Sequence, residues 1–252
     1  MKNTLTLLIG AALLFPAAAN AQQLPDFNFD NWSKSGKTWN LWAQDAPAKD
    51  QIWDTANHGL SILGINPTQP EYEHVKATGP GKAACKMESV KAMGKFVAGN
   101  LYTGKFLRVV KMSGAVMDWG TPFTSRPKSM SGYVHYIPAT VNCTQAPFQA
   151  RKGKKDIGRI EVILTDWTAP YEYNSIDMNL IDLDKDPHII GRGWIDLTED
   201  TGGYIPVDIP ITYRSDKKPT YVHVTFTSSR DGAYFTGGVG SVLYADEFEF
   251  KY

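Results

Sequence analysis

The stretch Thr220–Tyr252, TYVHVTFTSSRDGAYFTGGVGSVLYADEFEFKY, decides the fold. Two alternating segments flank a loop rich in Gly, Ser and Asp. In the first, Val222, Val224 and Phe226 point one way, and Tyr221, His223 and Thr225 the other. In the second, Val242, Tyr244, Asp246, Phe248, Phe250 and Tyr252 fall on one face, opposite Leu243, Ala245, Glu247, Glu249 and Lys251. A period of two over this length predicts half-buried antiparallel strands with one face on a core. Asp246 interrupts the apolar row. A buried carboxylate is costly unless it is paired or coordinates a metal. The candidate partners are Arg108, on the face of Phe106 and Val110 in another strand, a backbone donor, or a cation.

The same alternation recurs upstream. RIEVILTDW sets Ile160, Val162 and Leu164 against Glu161, Ile163 and Thr165. AACKMESV (83–90), KFVAGNLYTGKFLRVVK (95–111) and SGYVHYIP (131–138) also read as strands. GYIPVDIPITY (203–213) is extended, and its prolines predict an edge strand. Residues 22–31 suggest a short strand with Phe27 and Phe29 on one face, and SIDMNLIDLDKD (175–186) a short helix or a long loop. About ten strands, regular turn signals and little helix point to an all-β fold, a two-sheet β-sandwich of jelly-roll type. No linker composition divides residues 22–252, which are expected to form a single domain.

Charge excludes one class of partner. The chain carries 26 basic and 26 acidic residues, and its densest cationic run, Arg151–Lys155, suits a solvated loop rather than a nucleic-acid footprint. Residues 1–21 read as a signal peptide. Lys2 is the positive start, Leu5–Leu14 the apolar run and Ala19-Asn20-Ala21 the cleavage site, so the mature chain begins near Gln22. The apolar run is too short for a transmembrane segment, and no Cys follows it to accept a lipid. The protein is therefore expected to be exported to the periplasm, the cell surface or the medium. An oxidising compartment permits a disulfide between Cys85 and Cys143, worth roughly 3–4 kcal/mol for so long a loop. The alternative is two buried free thiols.

Seven Trp and twelve Tyr suit either a sandwich core or sugar recognition, in which an aromatic face packs on a pyranose and a few polar groups take its hydroxyls. Trp119 and Trp167 sit in turn or loop sequence beside Asp118 and Asp166, and are the expected exposed platforms. Arg126, in PFTSRP, either offers a bidentate fork to a ligand or ties its own loop through backbone carbonyls. Carboxylates are abundant, but no local pattern selects the facing pair that glycoside hydrolysis needs. DLDKD (182–186) lacks the Gly and terminal Glu of an EF-hand. The five His show no metal-binding spacing, and no G-x-S-x-G motif occurs. No catalytic residue is assigned.

Three motifs carry a family resemblance: AGNLYTGKF (98–106), WGTPFTSRPKSMSGYVHYIP (119–138) and SSRDGAYFTGGVGSVLYADEFEF (228–250). Together they resemble the family described as "putative carbohydrate metabolism domain", in family order over most of residues 27–252. His135-Tyr136 stands where the family more often has Lys-Tyr. The resemblance implies an exported β-sandwich of glycan-degrading gut bacteria, similar to jelly-roll (galactose-binding-like) carbohydrate-binding modules. It also implies a structural calcium ion between Asp30 and Asp246, with Asp30 in place of a more usual Glu. The expected function is non-catalytic binding of a polysaccharide or oligosaccharide during its recognition or utilisation. The alternatives are a glycoside hydrolase or lyase using paired carboxylates, and an adhesin without glycan specificity.

Overall fold

The computed structural model describes residues 21–111 and 114–252. The expected signal peptide, apart from Ala21, lies outside the described residues. In chain order the first strands are β1 (Ser33–Ser35), β2 (Thr38–Asn40), β3 (Trp53–Thr55), β4 (Thr68–Glu71), β5 (Ala84–Glu88) and β6 (Val90–Ala92). Next come β7 (Lys95–Val97), β8 (Asn100–Val110), β9 (Gly114–Trp119), β10 (Thr121–Pro122), β11 (Ser129–Ile137) and β12 (Gly158–Thr165). The last are β13 (Tyr171–Asn174), β14 (Ile189–Leu197), β15 (Ile205–Pro210), β16 (Thr212–Tyr213), β17 (Tyr221–Thr227) and β18 (Val242–Lys251). Short 3-10 turns occupy His58–Leu63, Gln149–Arg151 and Gly232–Tyr234.

The long strands form two antiparallel sheets. The larger runs β13-β9-β8-β17-β12-β14-β16, with β3 also on β8 and β10 also on β17; the smaller runs β15-β11-β18-β5-β4. The result is the expected jelly-roll sandwich. The alternating strands bury the faces predicted for them: Ile160, Val162 and Leu164 of β12 and Val222, Val224 and Phe226 of β17 lie in the core between the sheets. Opposite them pack Leu243, Ala245, Phe248 and Phe250 of β18. Phe226 and Phe248 meet edge to face at 4.8 Å, the arrangement that aligns a positive ring edge with a negative ring face. β15 and β16 are edge strands of different sheets, so the Pro-rich segment 203–213 crosses from one layer to the other, and its prolines occupy edge positions.

The structure departs from strict alternation in β18. Ser131 pairs with Glu249 and Tyr133 with Asp246, so β18 carries one residue more than β11 between these points. This is a β-bulge, and Glu247 takes a positive φ of 52° within it. The bulge reverses the parity. Leu243 and Ala245 face the core before it, and Phe248 and Phe250 after it, so Val242, Tyr244 and Asp246 do not share the core face expected of them. Gly132 lies opposite the bulge, where a Cβ would meet the Phe248 ring at 2.4 Å.

Two further expectations change. Residues 25–29 form a turn, with Phe29 N–H bonded to the Asp26 carbonyl at 3.0 Å, and it still inserts Phe27 and Phe29 into the core. Cys85 and Cys143 are both free, which corrects the expected disulfide. Cys85 is fully buried in the core from β5, where burial pushes its thiol well above the ordinary value. Cys143 sits in a loop whose backbone bridges Gly237. The fold thus places one sulfur between the sheets and the other in an end loop.

Candidate functional site

The larger sheet packs only one face on the core. Its other face is the floor of a groove of about 380 Å³. The floor is formed by Tyr102 on β8, Met117 and Trp119 on β9, Glu161 and Ile163 on β12, and His223 and Thr225 on β17; on β12 and β17 these alternate with the core residues Ile160, Val162, Leu164, Val222, Val224 and Phe226. Loops wall it on several sides, among them the one after β17, which brings Arg230, Ala233 and Phe235. The β6–β7 hairpin brings Phe96, and its turn residues Met93 and Gly94 both take positive φ, as a two-residue type I′ turn requires. The turn after β3 contributes Gly59 and Leu60, and the acidic segment after β13 contributes Leu180, Ile181 and Leu183. That segment is loop, the second of the two forms its sequence allows.

Trp119 is the expected ligand-binding residue that lines this groove. Its indole stacks with Tyr173 at 4.4 Å and His223 at 5.0 Å. The position across the ladder from Trp119 is Gly104, which leaves room for the indole to lie over β8 and reach β17. His223 is buried. Its Nδ1 lies 3.2 Å from the Thr103 carbonyl oxygen, so it donates there, and its Nε2 accepts from the Thr225 hydroxyl at 2.8 Å. Burial lowers its pKa to about 4, and the ring is neutral at physiological pH. Tyr102 lies beside Thr225 across the β8–β17 ladder. Its hydroxyl is buried and has no hydrogen-bond partner among the described residues. Glu161 is the one carboxylate among the described residues lining the groove, and Arg192 holds it, Nε to Oε1 at 2.7 Å.

The other expected site residues lie elsewhere. Trp167 is only 7% exposed and packs in a second cluster with Ile163, Ile181 and Ile189. It is therefore not an exposed platform, because the loop after β13 folds over it. Asp166 accepts from His188 at 2.7 Å and Lys217 at 2.5 Å; the Lys217 ammonium, helped by His188, holds its carboxyl below the ordinary value against the opposing effect of burial. Asp118 faces Lys105 on one side and Glu172 on the other. Burial and then Glu172 raise its pKa. It points away from the groove, since its neighbours Met117 and Trp119 point in. Arg126 donates to the carbonyls of Lys217 and Ser215 and lies 4.0 Å over the Tyr213 ring. It ties its own loop.

Asp246 has a backbone partner. Its Oδ2 accepts from the Lys76 and Ala77 N–H groups at 2.6 and 3.2 Å, and Oδ1 is buried without a partner among the described residues. Burial raises its pKa, while those two bonds oppose the rise. Arg108 belongs to a strand of the other sheet. Asp30 accepts from Lys82 Nζ at 2.7 Å, and the same ammonium lies 2.8 Å from Glu247. The two acids named for a calcium ion thus have other partners here, Asp30 the Lys82 ammonium and Asp246 the backbone N–H groups of Lys76 and Ala77.

Sequence reasoning missed Tyr102, Glu161, Tyr173, His223 and Thr225 as groove residues. The signal was present for β17, where Tyr221, His223 and Thr225 form the row opposite the core face. A polar-aromatic row of that kind reads as solvated until loops are seen to wall it.

Two solved structures share the fold. One, titled a putative glycoside hydrolase from Bacteroides thetaiotaomicron, is 21% identical with a TM-score of 0.67, over 90% of this chain and 70% of that one. Another, titled a putative glycoside hydrolase from Bacteroides vulgatus, is 19% identical with a TM-score of 0.67, over 89% of this chain and 96% of that one. At these identities the likeness shows the fold. No curated protein matches the chain. The profile described as "Putative carbohydrate metabolism domain" matches residues 28–251, nearly the whole of the strand pattern described above, and the chain belongs to that family.

Proposed function

We propose that this is an exported, non-catalytic carbohydrate-binding protein that takes a polysaccharide or oligosaccharide in the groove on the outer face of the larger sheet. The observation that carries this reading is the composition of the groove. Aromatic side chains line it with a few convergent polar groups, the usual build of a small-molecule site, and its one carboxylate among the described residues is held by Arg192. Hydrolysis of a glycosidic bond needs two carboxyl groups facing each other, about 5–5.5 Å apart for retention or 6.5–9.5 Å for inversion. A single ion-paired Glu161 does not supply them.

One observation favours hydrolysis instead. Asp118 and Glu172 stand opposite each other on β9 and β13, and the carboxyl of Asp118 is raised. That pair lies at the edge of the sheet, turned away from the groove. Two assays on the same samples separate the readings. Native electrophoresis in gels containing soluble polysaccharides is expected to show retarded migration, and a reducing-end assay on the same polysaccharides no release. Release of reducing ends that is lost in Asp118→Asn would replace binding with hydrolysis. Unretarded migration across a broad panel would remove the carbohydrate reading.

A further inference from the structure

We propose that the groove selects uncharged sugars over acidic ones, and that the Tyr102 hydroxyl is the specificity-determining contact, donating to an oxygen of the bound sugar. This rests on the carbohydrate reading above. A buried hydroxyl without a partner is uncommon, because it forfeits the hydrogen bond that water gives it in the unfolded chain. Tyr102 is 4% exposed, lines the groove floor and has no partner among the described residues. Beside it, Thr225 gives its hydroxyl proton to His223 Nε2, which leaves the Thr225 oxygen free to accept. A donor and an acceptor at neighbouring positions match a sugar hydroxyl, which accepts from one and donates to the other.

Charge on the groove wall points the same way. Glu161 is neutralised by Arg192. Arg230 is engaged by Asp196 at 3.0 Å and Asp231 at 3.2 Å. His223 holds no proton to offer an anion, since its Nδ1–H is committed to the Thr103 carbonyl. Lys95 is exposed on the hairpin, with its ammonium 5.8 Å from the Phe235 ring. A uronic acid in the groove would therefore lose water against Phe96, Phe106 and Phe235 with no buried cation to replace it, and an unpaired buried carboxylate is strongly disfavoured.

The test is titration calorimetry of the purified protein with xyloglucan and galactomannan oligosaccharides, which are neutral, and with oligogalacturonates of matched length. It is repeated with Tyr102→Phe, which removes the oxygen and keeps the ring. At least one neutral probe is expected to bind and the oligogalacturonates to be silent. Tyr102→Phe is expected to weaken binding roughly 5- to 10-fold, the worth of one hydrogen bond, with an unchanged or higher melting temperature. Oligogalacturonate binding equal to or tighter than the neutral probes overturns the selectivity. Unchanged affinity in Tyr102→Phe, or a lowered melting temperature showing that the hydroxyl already has a protein partner, overturns the role of Tyr102. In each of those cases the carbohydrate reading stands. Silence with every probe removes that reading and the inference with it.

Discussion

Replacing Gly132 by Ala tests the bulge that sets which face of β18 reaches the core. A Cβ at this position would stand 2.4 Å from Phe248 Cδ2 and 2.5 Å from Cγ, where carbon atoms rest at about 3.5–4.0 Å. The ring would have to retreat by more than about 1 Å. Nothing behind it can yield easily: Phe226 lies at 4.8 Å, Phe27 at 5.8 Å and Phe29 at 6.0 Å between ring centroids. The backbone is held as well, since Phe248 N–H donates to the Phe27 carbonyl at 3.1 Å. Overpacking of a filled core costs about 1–3 kcal/mol. With ring and backbone both constrained, the cost belongs near the upper end, about 3 kcal/mol. For a domain of this size that lowers the melting temperature by about 6–12 °C. Thermal and urea unfolding of wild type, Gly132→Ala, Phe248→Leu and the double variant measure it. Leu lacks the ring atoms that clash, so the double variant should be less destabilised than the sum of the two singles by about 1 kcal/mol or more. A Gly132→Ala protein within about 0.5 kcal/mol of wild type, or strict additivity, would refute the packing argument.

Trp167→Ala should lower stability by about 3–5 kcal/mol, because the ring packs with Ile163, Ile181 and Ile189; unchanged melting would put it on the surface. Trp119→Ala should abolish retardation in polysaccharide gels at a smaller cost in stability, and retained retardation would move the ligand away from the Tyr173–Trp119–His223 row. His223 binds its proton less tightly folded than unfolded, with a pKa of about 4 against 6.5. Stability should therefore fall as pH drops below about 6.5 and level off near pH 4, losing about 2 kcal/mol between pH 7 and pH 5; an equally steep loss in His223→Gln would assign it to other groups. Melting should be indifferent to a calcium chelator, because Lys82 sits between Asp30 and Glu247. A chelator-induced fall restored by calcium would instead place a metal with these carboxylates.

The strand pattern was legible because it follows from local geometry. Successive side chains point to opposite faces of a strand, so Val222, Val224 and Phe226, or Ile160, Val162 and Leu164, declare a buried face with no knowledge of what covers it. The edge position of the Pro-rich segment 203–213 was legible for the same kind of reason, since proline lacks the N–H that a central ladder needs. Three features were not legible in the sequence because the decisive contact is long-range. The bulge at Glu247 is one, because the extra residue is set by Gly132 on the neighbouring strand and by the space that Phe248 fills. The partner of Asp246 is another, since the donating N–H groups belong to Lys76 and Ala77, about 170 positions away. Trp167 is the third, covered by a loop whose apolar residues Ile181 and Leu183 are scattered among acids.

What the sequence by itself determined is therefore the all-β class, the inward rows of β12 and β17 and the family. Each rests on periodicity or on residues contiguous in the chain. Only the tertiary structure decided that the outward row of β17 is a floor rather than a wet surface. Tyr102, Trp119, Glu161, Tyr173 and His223 come from five strands that meet only when the sheet assembles. Their chemistry depends on that assembly: the neutral His223 on its burial, the quenched Glu161 on Arg192 of the neighbouring strand, and the unpaired Tyr102 hydroxyl on the lack of a hydrogen-bond partner among the described residues.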